Sequence, residues 1–437
     1  MSKQFRDWTP EQILMLPPSV QDWVPAGHLV HFVLHIVGEE LDLKPILKKY
    51  DEERGYPPFH PKMMVALLLY AYSQGVYSSR RIAKACRDRM DFIALLAMQC
   101  PDFRTISLFR LRHLEELKGL FGQVLKLCRK AGLAKLGHVA VDGTKMRANA
   151  SKKKSMRYGE MENREQELKR AIDEWFDKAA AIDKEEDGLY GEDRQGDEMP
   201  EWVKDKQQRL ERIRQAKAEL EAEAKAAAEG PRDPSRTRHD AKPTGKPNKK
   251  AQRNFTDPES QIMKSADGFM QAYNCQAAVD ADNQIIVAQH IATNGSDTHE
   301  LGSVLKEIRL HGHGQAKEIS ADSAYCSEYN LKQLRRRHIR GYVASRWQKD
   351  SRHNQSSDRK PPTTVGKYVR QMWQRLRRGG HRSRYRLRKQ VVEPVFGHIK
   401  QARGFRQFLL RGKNKVSAEW SLLCTVHNLL KLAAARC

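Results

Sequence analysis

The sequence lacks long apolar runs and paired cysteines. No stretch approaches 18 consecutive apolar residues, so we expect no membrane span. The first residues, Met1 to Arg6, contain no apolar segment of the kind that secretory signals need. Seven cysteines are scattered and never form a C-x-x-C pair, which argues against a zinc ribbon and against a disulfide scaffold. We therefore expect a cytoplasmic protein that makes no contact with a membrane.

Acidic residues are scarce in one part of the chain. The 437 residues include 79 Lys or Arg and 54 Asp or Glu, which gives a net charge of +25. Residues 331–415 hold 26 Lys or Arg but only three acids, which are Asp350, Asp358 and Glu393. Short basic runs are usually solvated surface, but this one is long and has aromatic residues within it. Many simultaneous phosphate contacts give strong, salt-sensitive binding, so the stretch predicts a nucleic-acid partner.

Residues 1–135 are predicted to form an all-α N-terminal domain. Apolar residues recur at three- and four-residue spacing over 29–43, 61–74, 79–86, 90–98 and 107–131. Ser78 and Thr105 are capping residue types, and Pro61 suits a first helical turn. These signals predict five helices before the first strand.

Beyond residue 135 the apolar period changes to that of strands. Strands are predicted at 138–142, 271–280, 284–292, 318–322 and 341–345, and the second and third form a hairpin across 281–283. Helices are predicted at 298–310, with Asp297 as a cap type, and at 328–337, 391–408 and 417–435. This element order is that of the ribonuclease H fold, an α/β core with a mixed five-stranded sheet and helices on both faces.

The long gap between the first two strands is predicted to be an insertion. Residues 156–230 are rich in Glu, Lys, Ala and Leu and predict a helical hairpin. Residues 231–251 combine prolines with basic residues and predict a linker. The catalytic domain would then comprise 136–155 and 252–437.

Three acids are candidates for chemistry. Asp142 and Asp322 each end a predicted strand, and these strands would be neighbours in the sheet, whereas Glu393 lies in the most basic region. Either aspartate alone is as well explained by a turn or a cap. Convergent carboxylates suit Mg²⁺, and two such ions would support an in-line phosphoryl displacement. Because Pro394 follows Glu393, we expect Glu393 at a helix N-terminus or a kink and not in mid-helix.

The chain resembles the DDE transposases of bacterial insertion sequences, of the IS-five and IS-eleven-eighty-two type. The resemblance rests on five short motifs in a fixed order, at 141–150, 256–260, 273–279, 321–325 and 392–400. The tail at 401–430 and the opening from Trp8 to Ser107 are also similar to that family. The resemblance covers most of the chain except the helical insertion and residues 346–384.

The resemblance implies a site and its partners. Asp142, Asp322 and Glu393 would be the catalytic, metal-binding triad, with Mg²⁺ as the cofactor and Mn²⁺ able to substitute. DNA contacts would come from the basic and aromatic residues near the glutamate, which are Tyr385, Arg388, Lys389, Lys400 and Arg403. The family pattern places three residues between the Arg and the Glu, whereas four separate Arg388 from Glu393, so Lys389 is an alternative for the Arg role.

The resemblance also implies an activity. A bacterial, nucleoid-associated transposase would cleave double-stranded DNA at the terminal inverted repeats of its element and join the 3′ ends to target DNA. The N-terminal helices would bind DNA or dimerise, and a homodimer would act on paired ends. Two alternatives stay open, namely a catalytically inactive DNA-binding protein such as a repressor or decayed transposase, and a non-mobile nuclease of the same fold.

Overall fold

The computed structural model describes residues 19–50, 58–190, 201–229, 244–265, 268–312, 314–345, 347, 361–379 and 383–436. Helices fill its N-terminal part, as the apolar spacing predicts. They are α1 (Leu29–His35), α2 (Lys44–Leu47), α3 (Pro61–Ser73), α4 (Ser79–Asp88), α5 (Met90–Leu95), α6 (Phe103–Arg112) and α7 (Leu114–Lys130). A π-helical turn, Ile36–Glu40, continues α1.

Two of the three predicted helix starts are confirmed. The Ser78 side chain accepts a hydrogen bond from the backbone N–H of Arg81 and caps α4, and Pro61 is the first residue of α3. Thr105 is not a cap, because α6 begins earlier and the Asp102 carboxylate accepts from the Thr105 N–H at 2.6 Å. The predicted helix at 107–131 is therefore two helices, α6 and α7, which meet at His113.

A mixed sheet follows the helices. Its strands are β1 (His138–Arg147), β4 (Gln261–Ser265), β5 (Gly268–Asp280), β6 (Ile286–Ala292), β7 (Glu318–Ala321) and β8 (Arg340–Val343), while β2 (Ser155–Arg157) and β3 (Gln252–Asn254) form a separate pair. β5 pairs antiparallel with β1, β4 and β6, and β1–β7 and β7–β8 are parallel. All five predicted strands are present.

The sheet has six strands and not the predicted five. The additional strand is β4, which pairs with residues 268–272 of β5. β5 begins three residues earlier than the apolar pattern indicates, so it has backbone groups to pair beyond the end of β6 at Ala292. The extra strand is a consequence of that extension.

Five helices accompany the sheet in the described part of the chain. They are α10 (Leu301–Gly312), α11 (Glu328–Arg336), α12 (Lys367–Gly379), α13 (Leu387–Gly397) and α14 (Lys413–Arg436), and a π-helical turn, His398–Ala402, follows α13. α12 was not predicted, although its buried residues have helical spacing: Val369, Met372, Trp373 and Leu376. α13 packs against β1 and β5, which brings the basic region to the centre of the sheet.

The predicted insertion is a pair of long helices with a core of its own. α8 (Tyr158–Tyr190) packs against α9 (Glu201–Glu229), and their buried side chains form a separate apolar cluster: Met161, Leu168, Ile172, Leu210, Ile213, Ala216 and Leu220. Residues 191–200 between the two helices, and residues 231–243 of the predicted linker, lie outside the described residues.

The N-terminal helices and the sheet share one hydrophobic core. A single cluster of buried side chains extends from Val24 in the first part of the chain to Leu432 in α14, and α14 packs against α3, α7 and β6. The predicted boundary near residue 135 therefore divides the chain without dividing its core, and the domain limits stay predictions. No helix in the described ranges is long and apolar enough to cross a membrane.

Candidate active site

The register of β1 and β7 brings Asp142 and Asp322 side by side. The parallel pairing runs from His138 with Glu318 to Val141 with Ala321, so each aspartate follows the last paired residue. Neighbouring strands lie about 4.8 Å apart, and the two carboxylates therefore start from adjacent positions. The prediction that β1 ends at Asp142 is wrong, because the long β5 continues to pair with β1 as far as Arg147.

The Asp142 carboxylate is half-buried and strongly paired. Its Oδ1 accepts from the Gly143 N–H at 2.9 Å, and its Oδ2 accepts from Nη1 of the buried Arg388 at 2.5 Å. Burial raises the pKa of Asp142 to about 6; the Arg388 charge opposes this shift and the Asp322 charge adds to it. The two carboxylates are thus close enough to repel each other, and Arg388 partly neutralises them.

Asp322 also has a local structural role. It caps a short 3-10 turn, Ser323–Tyr325, and its carboxylate accepts from the Ser323 N–H. The side chain is half-buried, so part of it remains accessible. A cap and a metal ligand are compatible roles, since a carboxylate has acceptor sites on both oxygens.

Glu393 lies inside α13 and is exposed. The expectation that it starts a helix is wrong, because α13 runs from Leu387 to Gly397 with Pro394 inside it. A kink at Pro394 stays a prediction. Proline has no N–H to give to the carbonyl of Gln390 four residues earlier. Gln284 donates its Nε2 to that carbonyl at 3.2 Å instead, so the missing helical hydrogen bond is replaced.

The two aspartates and Glu393 do not form a closed cluster. Across the part of the chain that the structure describes, no group of three or more His, Cys, Asp or Glu side chains is placed to hold a metal ion. The aspartate pair offers hard oxygen ligands whose repulsion Arg388 offsets only in part, which suits a divalent cation. The residues therefore fit a metal through Asp142 and Asp322, and a metal-binding role for Glu393 stays a prediction.

Lys400 lies against the same strand as Asp142. Its Nζ donates to Oγ1 of Thr144 and, at 2.8 Å, to the carbonyl of Lys145. Lys400 lies in the π-helical turn that follows α13, the helix that carries Glu393. At Gly397, between the two, an added Cβ would meet no atom within 4 Å, so the surface there is open.

The other predicted DNA-binding residues differ in where they point. Half-buried Tyr385 has its pKa raised by burial, and it also hydrogen-bonds Arg388. Arg388 reaches Asp142, whereas Lys389 is exposed, so the side chain that enters the site is Arg388. Arg403 lies apart: both of its terminal guanidinium nitrogens are buried without a hydrogen-bond partner, and its carbonyl accepts from Tyr77 of the N-terminal helices at 2.8 Å. DNA contact through Arg403 stays a prediction.

Sequence reasoning missed the polar network behind Asp142. Oδ1 of Asp297 accepts from Asn274 at 2.6 Å, from Gln276 at 2.7 Å and from Lys145 at 3.4 Å. Its charge contributes to the raised pKa of Asp142. Asp297 is not the cap of α10, which begins only at Leu301. The signal in the sequence was its place a few residues beyond the end of β6, where polar side chains can gather at a sheet edge.

Gly143 allows that network to lie close to β1. A Cβ at this position would be 2.4 Å from Nε2 of Gln276 and 2.6 Å from Oδ1 of Asp297. Only glycine therefore fits beside Asp142 without moving the network.

Two other motifs from the sequence have structural roles. At the start of α14, Asp257 accepts from the Gly412 N–H at 3.1 Å, and Glu259 accepts from the Lys413 N–H at 2.6 Å. Within α14, the Asn428 amide donates to and accepts from the backbone of Ile286, both at 2.8 Å. Asn428 thereby occupies backbone groups that face away from β5, on a strand that has no second partner strand among the described residues.

Comparisons with protein families agree with this arrangement. Residues 18–112 match a family described as Transposase domain (DUF772), and residues 232–429 match one described as Transposase DDE domain. Curated proteins and solved structures gave no significant match. The second match contains Asp322 and Glu393, and the two matched regions together span about two thirds of the chain. The chain is a DDE transposase of the insertion-sequence type, an enzyme that acts on DNA.

Proposed function

We propose that this transposase cuts at the terminal inverted repeats of its own insertion sequence, of the IS-five or IS-eleven-eighty-two type, and joins the 3′ ends to target DNA. The observation that supports the proposal most is the side-by-side position of Asp142 and Asp322 at the end of the β1–β7 pairing. The order and directions of the strands also favour a ribonuclease H-like core.

Asp142, Asp322 and Glu393 would hold two Mg²⁺ ions, for which Mn²⁺ could substitute. Such ions, when bound, would activate the attacking oxygen and stabilise the leaving oxygen of the phosphate. Enzymes of the DDE family generally use divalent metals, in agreement with the oxygen ligands here. Glu393 would have to approach the aspartates, and its exposed position on α13 leaves room for DNA to approach it.

The surrounding residues would bind and orient the DNA. Arg388 neutralises Asp142 in the present arrangement and would transfer its hydrogen bonds to a phosphate when the carboxylate takes a metal. Lys400, which Thr144 and the Lys145 carbonyl hold on β1, and exposed Lys389 would add phosphate contacts, with Tyr385 beside them. Two sites must act on two ends, so we propose a homodimer on paired ends.

The test is cleavage of a labelled duplex that carries the end of the element, with Mg²⁺ or Mn²⁺. The wild type is compared with Glu393→Gln and with the matched control Glu39→Gln, which changes another exposed acid. Metal-dependent cutting by the wild type and the control, with loss of cutting but normal DNA binding in Glu393→Gln, would support the triad.

Equal cutting by all three proteins would remove Glu393 from the site. Tight binding without cutting by any of them would favour the DNA-binding alternative over the enzyme in this copy. Transfer of the cut 3′ end to a second duplex separates a transposase from a nuclease of the same fold.

A further inference from the structure

Two adjoining clefts lie where the helical hairpin meets the sheet. The larger has a volume of about 1110 Å³ and the smaller about 540 Å³. Lys152, Phe269 and Gln271 line both, so the two clefts form one continuous groove. The groove is separate from the aspartate pair, since neither Asp142 nor Asp322 lines it.

The groove has an excess of exposed positive charge. Seven cationic side chains line it and are exposed: Arg147, Lys152, Lys154, Arg157, Lys250, Arg411 and Lys413. The structure shows no ion pair for any of these seven within the described ranges. We call this surface the basic groove.

The acids beside the basic groove are already engaged. Glu223 pairs with the buried Arg253 at 2.8 Å, Glu259 accepts from the Lys413 N–H at 2.6 Å, and Glu160 accepts from the Arg157 N–H at 3.2 Å. These contacts hold the three carboxylates in place, and the exposed cations outnumber them. The surface therefore keeps a net positive charge, which favours an anionic partner.

The floor of the basic groove is held by a chain of hydrogen bonds. Gln271 of β5 is buried; its Oε1 accepts from Ser155 at 3.1 Å, and its Nε2 donates to Ser260 at 2.8 Å. Asn254 donates to Ser155 at 2.9 Å. Because β2 is fixed to β5 in this way, the cations at 152–157 are displayed from a rigid support and not from a free loop.

The basic groove starts at a defined distance from the aspartates. Arg147, at one end of the groove, is five residues beyond Asp142 on β1, which is about 17 Å at the usual rise of a strand. A duplex rises about 3.4 Å per base pair along its axis, so a separation of this size lies within the length of one short duplex.

We propose that the basic groove binds the phosphate backbone of duplex DNA that flanks the phosphate to be cut. The inference rests on the proposed function and deepens it, because it names the surface that holds the DNA beside the reacting bond. The contacts are to phosphates, so the groove contributes affinity and position without reading the sequence.

The experiment measures binding of a labelled mixed-sequence duplex without metal, over a series of salt concentrations. The test variant carries Lys152→Gln, Arg157→Gln and Lys250→Gln. The control carries Lys178→Gln, Lys306→Gln and Lys317→Gln, three exposed lysines outside the groove, and so loses the same charge. A charge-keeping variant with Lys152→Arg, Arg157→Lys and Lys250→Arg checks that the groove keeps its shape.

We expect the test variant to bind at least about tenfold more weakly and to lower the slope of log affinity against log salt by about 3, one for each lost phosphate contact. The control and the charge-keeping variant should keep a slope close to that of the wild type. Equal effects of the test and control variants would overturn the proposal, because they would reflect net charge alone.

The outcome is separable from that of the proposed function. Weakened binding in the test variant, together with a wild type that never cuts DNA, would support the groove and contradict the proposed cleavage. Normal binding in the test variant, together with metal-dependent cutting by the wild type, would contradict the groove alone.

Discussion

Asp142 and Asp322 are held by backbone hydrogen bonds between neighbouring strands, whereas Glu393 is held by the packing of a helix on a sheet. The strand pairing fixes the relative position of the aspartates, because a shift of the register by even one residue would turn their side chains to the other face of the sheet. α13 packs through Val391, Val392, Val395 and Phe396 and leaves Glu393 exposed. Under the proposed function, two ligands of the site are thus preorganised by strand pairing, while the place of the third depends on how a helix packs on the sheet.

The largest expected effect is on the aspartate side. Asp322→Asn should lower metal-dependent cleavage by at least about 10³-fold, because a lost metal ligand removes several kcal/mol of transition-state stabilisation. The folded protein should be no less stable, since one of two repelling charges is removed. Cleavage kinetics and denaturant unfolding measure the two effects. Asp282→Asn, in the exposed turn between β5 and β6, is the control, and cleavage by Asp322→Asn at the wild-type rate would contradict the assignment.

Substitutions at two glycines compare how tightly β1 and α13 are packed. Gly143→Ala should lower the free energy of unfolding by up to about 3 kcal/mol, because the new Cβ would lie 2.4 Å from Nε2 of Gln276. Gly397→Ala should raise it by roughly 0.5–1 kcal/mol, because the helix surface there is open and alanine loses less entropy on folding. Urea unfolding of both variants gives the values. A strongly destabilised Gly397→Ala would show that α13 is as constrained as β1.

A pH series tests the charge repulsion in the aspartate pair. The pKa of Asp142 is about 6 in the folded chain, above the ordinary value of about 3.9, so the folded state binds the proton more tightly. The resulting stabilisation is complete below about pH 4 and is lost as the pH rises through about 6. The difference in unfolding free energy between the wild type and Asp142→Asn should therefore change by roughly 2–3 kcal/mol across that range. A constant difference would mean that Arg388 offsets both the burial of Asp142 and the charge of Asp322.

The smallest expected effect concerns the proline within α13. Pro394→Ala restores an N–H that can bond the Gln390 carbonyl, so that carbonyl would no longer need the side chain of Gln284. Gln284→Ala should therefore cost about 0.5–1 kcal/mol less in the Pro394→Ala background than in the wild type. Comparison of the two single variants with the double variant cancels two other effects of Gln284→Ala. These are the loss of the contact with Lys431 and the change at the positive φ of residue 284. Strict additivity would show that the bond from Gln284 contributes nothing.

The sequence predicted the aspartate pair because both strands have a recognisable sequence pattern. Short apolar runs that end in a carboxylate marked β1 and β7, and the element order made them neighbours. The place of Glu393 was not predictable from local rules, since α13 continues through Pro394 and a distant glutamine supplies the hydrogen bond that the proline cannot. Asp297 was missed because a cap and a member of a buried network have the same local sequence signal.

The hydrophobic core that the N-terminal helices share with the sheet was not predictable from the sequence either. Helical spacing shows which face of α7 or α14 is buried but not which partner covers it. β4 was missed since five residues carry too little pattern, and it exists only because β5 extends to meet it. The sequence thus predicted most individual helices and strands from their apolar spacing. It did not predict the tertiary contacts between segments that are distant along the chain.

The place of α14 has a consequence for synthesis of the protein. This helix packs against α3 and α7, whose residues are translated some 300 positions earlier, and its Asn428 occupies the backbone of β6. A partial chain on the ribosome that lacks this helix leaves apolar surface of the N-terminal helices uncovered and an edge of β6 open. Completion of this core, and with it protection from aggregation, therefore waits for α14 to leave the ribosome.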